Sequence, residues 1–222
     1  MSSDPTITPP PVDTPSAPVL EPPRVKFSGP RWFFTGIVRL LYRGWTRIAA
    51  RLFPEDSASE HIALDLHIPL PDRLNMSWVT DNLAVGGRVR PEDIKALARA
   101  GITHVIDTRS EYADDPQAMA REHIELLHIP AADTQPFTIE QMMEGARWAY
   151  EHIQRGGRVL IHCEHGVGRS VLLTCAALVY GGMNARDAME LVQEKRWQAA
   201  PNHKQVARLR KFEALVAAQR SA

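Results

Sequence analysis

Residues 159–170 read VLIHCEHGVGRS. A buried run of strand length, Val159 to His162, gives way to a segment that holds Gly166 and Gly168 before the next apolar stretch. That spacing predicts a central strand, a sharp turn and a helix that begins near Gly168. Glycines at those two positions let successive backbone N–H groups converge, and with the helix N-terminus they make a concave nest for an anion. A cysteine at the mouth of such a nest is favoured as its thiolate, which makes Cys163 a candidate nucleophile. Arg169 closes the loop with a planar fork that can grip two oxygens of a tetrahedral oxyanion.

Outward from this stretch, strand and helix patterns alternate. SWVTDNLAVGG (77–87) reads as a short hairpin-like edge and ITHVID (102–107) as a buried strand. Between them Pro91 to Ala100 reads as a helix, with Pro91, Glu92 and Asp93 at its positive end. IELLHIP (124–130) is a further strand. Thr138 to Gln154 is a helix with Ile139, Met142, Met143, Ala146, Ala149 and Ile153 on one face, opened by a Thr138/Gln141 capping box. Helices follow at about 168–181, 184–196 and 202–219, the last two capped by Asn184 and Asn202. The alternation predicts an α/β fold with a central, mostly parallel sheet flanked by helices.

The amino-terminal part differs in character. Residues 1–30 hold nine of the 17 prolines and no apolar period, and are expected to be a disordered tail. Residues 31–53, RWFFTGIVRLLYRGWTRIAARLF, place apolar side chains on one helical face and arginines at every fourth position on another. Such a basic amphipathic helix either makes peripheral contact with an anionic membrane surface or docks on the catalytic domain. Residues 54–75 read as a linker and 76–219 as the catalytic domain. Residues 54–222 carry 19 basic and 23 acidic side chains, so the main domain lacks the positive balance of a nucleic-acid binder. With no signal peptide and no long uncharged apolar run, a cytoplasmic protein is expected. Cys163 and Cys175 on one helical stretch would stand about 18 Å apart, too far to pair, so a reducing compartment is the simpler reading.

Cys163, five intervening residues, Arg169 and then Ser170 resemble the signature of the protein tyrosine phosphatase superfamily. The form HCEHGVGRS, placed late and after a strand, looks like its dual-specificity branch. NLAVGG, GITHVIDT, IPAADTQPFTIEQMMEGARWAYEHI and APNHKQVARL follow one another as they do in that branch, over about residues 76–216. The resemblance implies phosphate ester hydrolysis through a cysteinyl-phosphate, with Cys163 as nucleophile. Arg169 and the loop Glu164, His165, Gly166, Val167 and Gly168 would hold the phosphoryl oxygens. Asp133, in PAADTQPF, would protonate the leaving group and then activate water; Ser170 would ease departure of the thiolate, and His162 would orient the loop from behind.

Asp107 is the rival acid. Asp114 and Asp115 read as solvated loop charges, Cys175 as core packing, and His165 either tunes charge preference or faces solvent. His104, His123 and His128 lack a metal-ligand spacing, so neither metal nor cofactor is expected. The expected substrates are phosphotyrosine proteins, with phosphoserine and phosphothreonine as further candidates. A phospholipid substrate, phosphoinositide or phosphatidylglycerophosphate-like, is suggested by the basic helix and opposed by a loop whose one permanent cation is Arg169. A silent phosphate-binding module is a third reading; the presence of both Cys163 and Asp133 favours an enzyme.

Overall fold

The structure, a computed structural model, describes residues 52, 58–66 and 74–221. The tail at 1–30 and the basic helix at 31–53 fall outside the described residues apart from Leu52. In chain order the elements are α1 (Ala58–Asp65), β1 (Met76–Trp78), β2 (Leu83–Gly86), α2 (Ile94–Arg99), β3 (His104–Arg109), α3 (Pro116–Arg121), β4 (Glu125–Ala131), α4 (Ile139–Gln154), β5 (Val159–His162), α5 (Arg169–Tyr180), α6 (Ala185–Lys195) and α7 (His203–Ser221). A 3₁₀ turn at Pro91–Asp93 leads into α2, so the proline-opened helix begins as a tighter coil. All lie in the unit Gly44–Ala222.

The five strands form one sheet in the order β1-β2-β5-β3-β4. Only β1 and β2 run antiparallel; the other neighbours are parallel. Successive strand side chains point to opposite faces, and β5 shows why a continuous apolar run belongs at the centre. Val159 and Ile161 pack into the core shared with α4, α5, α6 and α7, while Leu160 packs with Ile94, Leu97 and Met119 on the other side. Helix α5 is buried on almost every side, which accounts for its apolar residues all round. The caps form as the spacing predicts: Thr138 and Gln141 bond reciprocally at the start of α4, and the Asn184 side chain accepts from Asp187 N.

Two helices were not legible. Helix α1 lies within the stretch read as a linker, and α3 directly follows Asp114 and Asp115, the two residues read as solvated loop charges. Neither is long enough to show an apolar period. Asp115 is not simply a solvated charge, because its carboxylate caps α3 by accepting from Gln117 N at 2.8 Å. Among the described residues no helix is long and apolar enough to cross a membrane. The carboxyl ends of β5, β3 and β4 open into loops 163–168, 110–115 and 132–138, which converge at the end of the sheet where α/β folds place their ligands.

Candidate active site

The loop after β5 wraps around the Cys163 sulfur. Cys163 is 2% exposed, its Sγ accepts from Gly166 N at 3.2 Å, and the Ser170 hydroxyl lies 3.3 Å from it. Gly166 has a φ of +67°, and a Cβ there would meet the Gly86 carbonyl carbon and Gly87 nitrogen at 2.7 Å. Conformation and close approach both require glycine at this position. Arg196, to which the sequence drew no attention, bolts the loop to the sheet edge. Its buried guanidinium donates from Nε to Gly166 O at 2.7 Å and from Nη2 to Asn75 Oδ1 at 2.7 Å, with Ser77 Oγ at 3.3 Å from Nη1.

Arg169 begins α5 and is 2% exposed. Its Nη1 and Nη2 donate to the two Glu111 oxygens at 2.7 Å each, and Nη1 also donates to Ala131 O at 2.9 Å. Its Nε is buried and has no protein partner, so one donor of the fork is left for an anion. Glu111 was missed by the sequence reading. Hydrogen bonds from Arg169 lower its pKa to about 2.

Asp133 lies in the loop after β4, with Oδ1 3.3 Å from Arg169 Nη2 and its side chain 62% exposed. Its neighbour Thr134 has a φ of +64°, a costly conformation for a β-branched residue, on the order of 1–3 kcal/mol. Three side chains around the start of α7 hold this loop by its carbonyls. Asn202 Nδ2 donates to Thr134 O at 2.6 Å, Gln205 Nε2 to Gln135 O at 3.3 Å and Arg208 Nη1 to Phe137 O at 2.8 Å. Asn202 also caps α7, accepting from Gln205 N at 3.0 Å.

Beneath the cysteine loop lies a buried ionic cluster. Asp107 is fully buried and takes two hydrogen bonds from the Arg109 side chain at 2.9 Å, which removes it as a rival proton donor. Asp114 is not solvated but buried, paired with Arg109 Nη2 at 2.5 Å and with His162 Nε2 at 2.8 Å. His162 thus stands behind the loop, and its carbonyl accepts from Thr108 Oγ1 at 2.6 Å. Glu164 turns outward to Arg88 at 2.9 Å. Cys175 is fully buried, and burial pushes its thiol pKa up. Both cysteines are free.

Arg109→Met would leave two buried carboxylates without their cation. Chemical denaturation is expected to show a loss of about 3–5 kcal/mol, whereas a loss below about 1 kcal/mol would mean that the carboxylates find other partners. Burial alone would raise the Asp107 pKa, but the hydrogen bonds and charge of Arg109 together with the His162 ring outweigh it, and the net shift is downward. Glu111 is depressed as well. Groups depressed on folding contribute stability above their unfolded pKa, near 4, and lose it as pH falls toward the folded value. The contribution of these two carboxylates is therefore expected to appear as a fall in the urea midpoint below about pH 4; a midpoint unchanged between pH 5 and pH 3 would overturn this.

The chain matches the family model for the dual specificity phosphatase catalytic domain over residues 87–214. It is 30% identical over 141 residues to dual specificity protein phosphatase 1B of Arabidopsis thaliana, covering 63% of this chain and 82% of that protein. It is also 30% identical over 126 residues to human dual specificity protein phosphatase 15, covering 56% of this chain and 41% of that one. Among solved structures it resembles Tk-PTP in its active form, with a TM-score of 0.59 and 27% identity over 63% of this chain and 97% of the other. With a loop that leaves a sulfur and one arginine donor free for an anion, and with these relatives, the chain belongs to the dual-specificity branch of the protein tyrosine phosphatase superfamily, whose members are cysteine-dependent phosphoric monoester hydrolases.

Proposed function

We propose that Cys163, Arg169, Asp133 and Ser170 carry out the hydrolysis, and that the substrates are phosphotyrosine and phosphoserine or phosphothreonine side chains of proteins. The Cys163 thiolate attacks phosphorus opposite the leaving oxygen. The S–P bond forms, the P–O bond breaks, and Asp133 gives its proton to the departing phenol or alcohol. Arg169, through its free Nε, and the N–H groups of 164–168 other than Gly166 N, which faces the sulfur, hold the phosphoryl oxygens throughout. Asp133 then takes a proton from water, whose oxygen displaces the sulfur and releases phosphate. Ser170 donates to the leaving thiolate. Its hydroxyl also lies 3.1 Å from Gly86 O, so one proton serves two acceptors and turns to the sulfur when the sulfur is charged.

The observation that carries this reading is the unpaired, buried Arg169 Nε beside a sulfur that already accepts a loop N–H. A singly phosphorylated side chain suits the charge balance. Residues 163–170 hold no permanent cation besides Arg169, and Glu111 and Asp133 already pair with it, which disfavours polyphosphorylated lipid headgroups. The test is phosphate release, with a chelator present, from a phosphotyrosine peptide, a phosphothreonine peptide and a short-chain phosphoinositide side by side. Release from the peptides that is lost with Cys163 is expected; release from the lipid alone would overturn the substrate assignment.

Glu111 positions Arg169 in this scheme. In Glu111→Gln one side of the bidentate pair becomes an NH2 facing an Nη, so the fork must turn. Since a displacement of about 1 Å at a reacting centre can cost about 10²-fold, kcat on the phosphotyrosine peptide is expected to fall by on the order of 10²-fold. Unchanged kinetics would mean that Ala131 O and packing alone hold Arg169.

A further inference from the structure

At the other end of the sheet from the cysteine loop, three metal-binding side chains converge. His104 opens β3 and Glu125 opens β4, and the two are register partners in the parallel pair. His152 lies in the last turn of α4. His104 Nε2 is 3.7 Å from one Glu125 oxygen and His152 Nε2 is 3.9 Å from the other, and all three ligand atoms lie within 4.8 Å of one another. Tetrahedral zinc with bonds of about 2.0–2.1 Å spaces its ligand atoms about 3.4 Å apart, so side-chain adjustments alone can close the set around an ion.

We propose that His104, Glu125 and His152 form a divalent metal site of the zinc class, with water as the fourth ligand. Two imidazole nitrogens and one carboxylate oxygen make a donor set that suits Zn²⁺ and disfavours Mg²⁺ or Ca²⁺, which prefer all-oxygen shells.

The surroundings are those of a built site. His104 Nδ1 lies 2.7 Å from Thr103 Oγ1. That hydroxyl accepts from Arg158 N at 2.9 Å and has Arg158 O at 3.4 Å as an acceptor for its own proton. Thr103 can therefore receive a proton bond from His104 Nδ1 and pass its own hydrogen on, which leaves the Nε2 lone pair directed at the cluster. A hydrogen-bond acceptor that fixes the far nitrogen of a ligating histidine is a recurrent feature of metal sites, and the Thr103 hydroxyl fills that role here. Gly157 forms the wall behind His104: a Cβ there would meet the ring at 2.8 Å. Trp148 flanks the pair, with its ring 4.3 Å from His152 and 5.4 Å from His104. Both histidine side chains are 16% exposed and Glu125 is 59% exposed, so the carboxylate is the open side through which an ion enters. The ion would tie the first residues of two strands to the end of α4. It takes no part in phosphate chemistry. The spacing of residues 104, 125 and 152 carries no sequence signal, because the sheet register and the return of α4 bring them together.

The experiment uses the full-length Cys163→Ser protein, which removes the active-site sulfur as a competing zinc ligand. After chelator treatment and dialysis it is titrated with Zn²⁺ against a chromogenic indicator, and separately with Co²⁺. One equivalent of Zn²⁺, a visible tetrahedral Co²⁺ spectrum and a raised Tm are expected. His152→Ala in the same background, which keeps a good helix former in α4, is expected to abolish the Co²⁺ spectrum and the Tm rise. Thr103→Val is expected to weaken binding by about 10–100-fold. Failure of the parent to compete with the indicator would overturn the site. So would a stoichiometry and spectrum that survive His152→Ala with the circular dichroism of the fold intact.

Discussion

Cys163→Ser is expected to lower kcat on a phosphotyrosine peptide by on the order of 10⁵–10⁶-fold, as loss of an activated nucleophile does elsewhere, while the peptide still binds. The loop around the sulfur is made of donors. Gly166 N and the Ser170 hydroxyl face it, and the carboxylates of this end of the sheet are engaged elsewhere, Glu111 and Asp133 on Arg169, Asp107 and Asp114 on Arg109. Such a setting offers no base that could deprotonate a weakly acidic nucleophile. A thiol can arrive as its thiolate; an alcohol stays protonated and unreactive. Arg169 and the loop N–H groups are untouched by the exchange, so the affinity measured by calorimetry is expected to remain within about tenfold of wild type, a difference of about 1.4 kcal/mol. Turnover within about 100-fold of wild type would place the nucleophile elsewhere.

What the sequence disclosed, and what it hid, follow from how far apart the interacting groups lie along the chain. Cys163, Gly166, Arg169 and Ser170 are contiguous because a loop between a strand and a helix must supply every donor within one turn. The same stretch disclosed the fold, since an apolar run buried on both faces belongs at the centre of a parallel sheet. Glu111 clamps Arg169 from 58 residues away, and Arg196 reaches Asn75 across 121 residues. No local pattern encodes either contact. Asp114 was misjudged because its neighbours, Ala113 and Asp115, sit in a polar loop. The overlooked signal was Arg109, a guanidinium at the end of a buried strand that needs carboxylate partners nearby. Asn202 was legible as a helix cap, yet the amide that grips Thr134 O becomes visible only once α7 is laid beside the loop that carries Asp133.

That grip bears on the second large effect. Asp133→Asn keeps the shape of the side chain and removes its transferable proton, and loss of a positioned acid is expected to lower kcat by about 10²–10⁴-fold. The size should depend on the leaving group. A threonine alkoxide is a far poorer leaving group than a tyrosine phenoxide, whose parent phenol has a pKa of about 10, so the phosphothreonine peptide should lose most and an aryl phosphate with an electron-withdrawing ring least. The loop itself should not move, because Asn202, Gln205 and Arg208 hold it by backbone carbonyls at 134, 135 and 137. The loss can then be assigned to proton transfer and not to a collapsed loop. Equal losses across all three leaving groups would instead make Asp133 a positioning partner of Arg169, to which it is bound at 3.3 Å. In that case the proton would have to come from water, since Asp107, the other candidate, is sealed beneath the loop on Arg109.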